Sequence, residues 1–150
     1  MTVGLCSCTP DTECRIEENV NCILTFDCDS IRATEDTTFV VKFDQIDSLT
    51  IKGMDVDSVL YDNEKSVSSV ALPLRSDINS TKYNLVLNGH QYLLTINHQN
   101  EEHFISMECG CFVYHQIDTA YTNSGDTVEI INTSVENSEQ INLKLHLHFD

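Results

Sequence analysis

The sequence predicts an all-β protein, an antiparallel β-sandwich of roughly eight to ten strands. Three observations carry that prediction. Apolar residues from about Val20 onward alternate with polar ones more often than they recur at helical spacing. Turn-prone clusters punctuate the alternating runs, and no segment reads as a long amphipathic helix. A hydrophobic share of 41% over 150 residues is enough to bury one core without disulfides holding it together.

The elements follow in chain order. In "NCILTFDC", Cys22, Leu24, Phe26 and Cys28 share one face, as expected of a half-buried strand. "TTFVVKF", "DSLTIKG", "SVLY" and "SSVALPL" are read as the next strands, each bounded by polar residues. Asp55 and Asp57, in "KGMDVDS", lack the twelve-residue ligand pattern of a calcium loop and read as a strand-end turn. "SDINSTK" is expected to be an exposed loop before "KYNLVL". Asn88-Gly89 then joins "KYNLVL" to "QYLLTIN", and Asn-Gly is the strongest short hairpin signal because both residues tolerate positive φ. "HQNEEH" is read as a second exposed loop, followed by "CFVYHQI", a turn at "NSGD" and the strand "TVEIINTS". In the last strand, "NLKLHLHF", Leu143, Leu145, Leu147 and Phe149 face inward, which puts Lys144, His146, His148 and Asp150 on the solvated side.

Charge narrows the partners. A formal charge of −16, spread along the whole chain, repels phosphate backbones, so no nucleic-acid partner is expected. No stretch approaches the roughly 20 apolar residues of a membrane-spanning helix. Residues 19–150 read as a single β domain. Residues 1–18, polar and acidic with no alternation, read as a signal remnant and tether.

Three of the seven cysteines lie in "MTVGLCSCTPDTEC". A bacterial lipoprotein signal ends in an apolar run, a small residue and then the cysteine that receives the lipid. Leu5-Cys6-Ser7-Cys8 resembles that box and points to lipidation at Cys8, although "MTVGL" is short for a signal. The plainer alternative is two thiols on an unstructured terminus.

Several residues have types and spacings that suit chemistry. Cys109 and Cys111 flank a glycine and, on a strand, point the same way, so they could form a redox or metal pair. His146 and His148 have the His-x-His spacing that serves metals on strands, but no third ligand is assignable and the solvated-face reading accounts for them. His90, His98, His103 and His115 are placed on loops or strand ends with no common spacing. No nucleophile elbow, phosphate loop or His-Glu-x-x-His motif occurs, and no catalytic residue, cofactor or metal is assigned.

The segments "DSLTIKGMDVDSVLYDN", "VALPL" and "HFISMECG" give the chain a family resemblance. It resembles an uncharacterised family of small envelope lipoproteins from Bacteroidetes, a domain of unknown function. The resemblance implies a lipid anchor to a Gram-negative membrane, facing the periplasm or on the outer membrane. It also implies a bridge between Cys14 and Cys109, with an envelope protein or glycan as a possible partner. Asp-Ser or Asp-Thr followed by an aliphatic residue or Thr occurs at Ser30, Thr37, Ser48, Ser58, Thr119 and Thr127. This triplet resembles the O-glycosylation signal of exported proteins in that phylum, and also a favoured way to start a turn. The expected function is a non-catalytic binding or structural module. The alternative is a metal- or thiol-dependent envelope protein using Cys109 and Cys111 or His146 and His148.

Overall fold

The structure, a computed structural model, describes residues 20–54, 59–138 and 140–149. Eleven strands make up the regular structure of the described residues: β1 (Asn21–Ala33), β2 (Thr38–Phe43), β3 (Ile46–Gly53), β4 (Val59–Val67), β5 (Ser69–Pro73), β6 (Ser80–Leu87), β7 (His90–Ser106), β8 (Gly110–Thr122), β9 (Val128–Ile130), β10 (Ser134–Val135) and β11 (Ile141–Phe149). They form two sheets. One runs β2-β1-β11-β9, with β5 also on β1, and the other runs β10-β8-β7-β6-β3-β4. The predicted sandwich is the observed fold.

Alternation decides what the sheets bury. Cys22, Leu24, Phe26 and Cys28 of β1 and Leu143, Leu145, Leu147 and Phe149 of β11 all point into the space between the sheets. Leu49, Leu85, Leu94 and Ile96 meet them from the second sheet, each with no exposed surface. Fully burying such a side chain contributes about 1.5–3 kcal/mol, so this layer is the main stabilising term.

One pairing departs from the expected antiparallel pattern. β1 and β11 run parallel, with Phe26 opposite Leu145 and Cys28 opposite Leu147. Parallel neighbours cannot be joined by a tight turn. Here nearly the whole chain forms the crossover, so the first and last strands close the sheet together.

The hairpin between β6 and β7 is as predicted. Asn88 and Gly89 have φ of 51° and 83°, the two positive values a type I′ turn requires. Asn88 Oδ1 also accepts hydrogen bonds from the backbone of Asp47 (3.0 Å) and Ser48 (3.2 Å), tying the turn to β3. Gly125 in "NSGD" likewise has positive φ, at 82°.

Two expectations are corrected. "HQNEEH" is not a loop: it lies within β7, whose pairing with β8 extends to Ser106 opposite Gly110. The hairpin runs out past the core, so neither face of its outer half is continuously buried and no alternation marks it. His98, His103 and His115 therefore lie inside strands rather than in loops or at strand ends.

A buried asparagine ties the sheets together where alternation fails. Asn142 and Leu143 are both buried, and the register of β1 against β11 shifts between Ile23 and Leu24. Asn142 Oδ1 accepts from the Ile23 amide (3.0 Å), and its Nδ2 donates to the carbonyls of Asn132 (3.0 Å) and Ser134 (2.8 Å). One side chain thus satisfies main-chain groups of both sheets at a bulge.

Candidate functional site

The outer face of the β1-β11 sheet carries the residues that the sequence singled out at the C-terminus. Parallel register sets Asp27 opposite His146 and Asp29 opposite His148, while β9 brings Glu129 from the other side. His146 Nδ1 lies 3.0 Å from Asp27 Oδ2 and its Nε2 lies 2.9 Å from Glu129 Oε1. His148 Nδ1 is hydrogen-bonded to Asp29 Oδ1. The solvated-face reading is therefore refined: carboxylates engage both ring nitrogens of His146. Such half-exposed pairs contribute at most about 1 kcal/mol each. Among the described residues, no three His, Cys, Asp or Glu side chains are disposed to hold a metal ion.

Beside this ladder lies an open cleft of about 660 Å³. Its origin is topological. Along one side of β1, pairing with β5 ends at Thr25 opposite Ser69, and pairing with β2 begins at Cys28 opposite Phe43. Phe26 and Asp27 have no partner strand on that side among the described residues. The chain leaves the sheet after Phe43 and returns at Ser69, so Asp44 and Ser68, on the connecting segments, flank the notch. Tyr61 of β4 forms a wall, its hydroxyl accepting from the Ala71 amide of β5 at 2.9 Å. Ile23, Ala71 and Ile141 add apolar surface.

Lys144 reaches the cleft from β11, directly across from Thr25. It is the one half-buried lysine among the described residues, the others being exposed. Despite 24 acidic residues in the chain, its side chain makes no hydrogen bond or ion pair with any described residue. The side chains of Asp44, Ser68 and Ser69 likewise make no hydrogen bond with any described residue. The volume is within the range of small-ligand sites, and an apolar floor with a few convergent polar groups is their usual composition.

A second constellation is buried, and the sequence reading missed it. His98 and His115 are 0% and 4% exposed, with ring centroids 5.0 Å apart and the rings edge to face. Asn100 Oδ1 lies 2.8 Å from His98 Nδ1 and 2.7 Å from His115 Nδ1. The amide is oriented by its other end, since Nδ2 donates to the Ile78 carbonyl at 2.8 Å. Both imidazoles must then donate from Nδ1. Arg75 N donates to Thr81 Oγ1 (2.9 Å), and Thr81 Oγ1 in turn lies 2.8 Å from His98 Nε2, so the hydroxyl donates to the neutral ring. Every polarity in the chain of bonds is fixed.

Burial favours the neutral form of both rings. It pushes the pKa of His115 down to about 4, with the neighbouring His98 adding to the effect. His98 is lowered for the same reason, against opposing contributions from Asn100 and Asp118. Such a locked pair of neutral imidazoles is a structural knot first. The sequence did carry a signal for it: Tyr92, Leu94, Ile96 and His98 share one parity in β7, so extending the inward face by two residues places His98 inside.

The cysteines divide by location. Cys22 and Cys28 are free and buried, and burial pushes each thiol up to about 12, with Asp27, Asp29 and Asp44 adding to the shift at Cys28. Cys109 and Cys111 are disulfide-bonded, and the identity of their pairing lies outside the described residues. The same holds for the expected Cys14–Cys109 bridge, for lipidation at Cys8 and for the turn at Asp55 and Asp57.

Comparison with known proteins places this arrangement in a family. The family of unknown function DUF6452 matches residues 48–147, from β3 almost to the end of β11, and the chain belongs to it. No curated protein and no solved structure matches.

Proposed function

We propose that this domain is a non-catalytic binding or structural module of a cell envelope. In this reading it is one of a group of small Bacteroidetes lipoproteins, held in the periplasm or on the outer membrane of a Gram-negative cell by a lipid on Cys8. The observation that carries the binding reading is the cleft on the outer sheet face, where Lys144, Asp44, Ser68 and Ser69 offer polar side chains that the described residues leave unused. The envelope reading draws on Leu5-Cys6-Ser7-Cys8, on the acidic tether and on the Asp-Ser and Asp-Thr triplets, of which Thr37, Thr119 and Thr127 have exposed positions.

The test of the anchor is mass spectrometry of the mature native protein without reduction. A diacyl or triacyl mass on Cys8 supports it, and an intact Met1 overturns it. The competing reading, a metal-dependent protein, draws on His146 and His148, since Cys109 and Cys111 are disulfide-bonded and offer no free thiol. Metal analysis of purified protein separates the two: stoichiometric zinc or copper that is lost on His146→Ala overturns the purely structural reading.

A further inference from the structure

We infer that the cleft between β1, β5 and β11 binds a saccharide carrying an acidic group, with Lys144 taking the carboxylate or phosphate. The inference rests on the binding-module reading and names the ligand class of that same site.

The lining dictates the chemistry. A half-buried lysine whose ammonium has no partner among the described residues is unusual in a chain of net charge −16, because carboxylates to pair with it are abundant. Two acids on the same face do not serve it: Asp27 and Glu129 both engage His146. Lys144 is thereby left as a positively charged donor facing an open volume. Its complement is an anion.

The remaining groups suit a ligand larger than a bare anion. Asp44 can only accept hydrogen bonds at neutral pH, and the Ser68 and Ser69 hydroxyls can donate or accept. Together they suit a ligand with several hydroxyls, which donate to the carboxylate and exchange bonds with the serines. Ile23 and Ala71 supply an apolar surface against which the C–H face of a sugar ring would lie. A volume of about 660 Å³ admits one or two such rings.

The overall negative charge does not prevent this. At physiological ionic strength, charges beyond about 8 Å are largely screened, so the repulsion acts on approach while the ammonium acts on contact. Asp44 adds local selectivity, since it penalises an anionic group placed beside it.

The experiment is a titration of isotopically labelled protein, followed by amide chemical shifts, with four probes: D-glucuronate, D-glucose 6-phosphate, D-glucose and acetate. Lys144→Gln is titrated in parallel, and its spectrum reports that the fold is retained. The expected result is saturable shifts at Thr25, Ser68, Ser69, Ile141 and Lys144 with glucuronate or the sugar phosphate, the stronger of the two identifying the acid group. Lys144→Gln then binds about ten- to a hundredfold more weakly, as expected for loss of one charge-assisted hydrogen bond. Equal shifts from glucose in both proteins overturn the acidic class and leave the binding reading standing. Acetate matching the sugar acids overturns the saccharide class. No saturable shift in the cleft with any probe overturns the inference.

Discussion

Lowering the pH should destabilise this domain through His115, by an amount that its burial sets. An exposed imidazole titrates at 6.5, whereas His115 in the folded chain titrates at about 4, because burial beside His98 disfavours the charged ring. Between those values the unfolded chain carries a proton at position 115 that the folded chain does not. Stability therefore falls as pH falls through 6.5, and the loss is complete below about 4. At 1.36 kcal/mol per pH unit of difference, the loss is about 3 kcal/mol. His98 contributes in the same direction. Against a typical total of about 5–15 kcal/mol this is a large share. Other groups titrate too: Arg75 holds the Asp77 carboxyl below its usual range, and that contribution is also lost in acid. A double difference isolates His115. In His115→Asn, the amide Nδ2 occupies the place of the imidazole Nδ1 and still donates to Asn100, but it does not titrate. Urea unfolding followed by far-ultraviolet circular dichroism at pH 7 and pH 4 should show the variant losing about 3 kcal/mol less than the unmodified protein. Parallel losses in the two proteins would refute the reasoning. So would a midpoint near 6.5 for the His115 ring protons in a direct titration, a measurement that needs no variant.

Other consequences follow from individual residues. Asn142→Ala leaves the Ile23 amide and the Asn132 and Ser134 carbonyls without their side-chain partner and should cost about 2–4 kcal/mol in denaturant unfolding. Gly89→Ala meets no atom within 4 Å, so its cost is conformational, about 1 kcal/mol for an alanine held at a φ of 83°. Cys22 and Cys28 should resist an aromatic disulfide reagent at pH 8 in the folded protein and react promptly in guanidinium. Their pKa values of about 12 leave almost no thiolate, and neither sulfur is accessible. Prompt labelling of the native protein would contradict the described packing.

How much was legible in the sequence depended on whether a residue's environment was local. Leu143, Leu145, Leu147 and Phe149 read correctly because one face of β11 is buried along its length, so a period of two appears directly in the residue types. The Asn88-Gly89 hairpin read correctly because its two φ angles are a property of those residues alone. The outer half of β7 was invisible for the converse reason. Glu101, Glu102 and Phe104 are exposed on a hairpin beyond the core, and a strand with no continuously buried face carries no alternation to read. His98 and His115 were misplaced because a polar residue at a core position violates the code on which the reading relied. Their compensation comes from Asn100, Thr81 and the Ile78 carbonyl, partners assembled by sheet register rather than by spacing.

The cleft illustrates the stricter limit. Position 144 was assigned to the outward face from sequence, correctly, and a lysine there looked like an ordinary solvated charge. Its significance comes from what surrounds it, and that is a matter of where two strands stop. Had β2 continued two residues further along β1, or β5 begun two earlier, a strand would cover Phe26 and Asp27 and the notch would not exist. Nothing in the side chains of "FDQI" or "VSSV" marks those ends as the rim of a site. The gap arises because the chain crosses to the other sheet at Asp44 and returns at Ser68, so that β3 and β4 can pair with each other and with β6. A crossover that the fold needs for its second sheet thus opens the first one beside its only half-buried lysine among the described residues. Substitutions that lengthen β2 or β5 along β1 should close the cleft while leaving the core layer of Leu24, Leu72 and Leu145 intact.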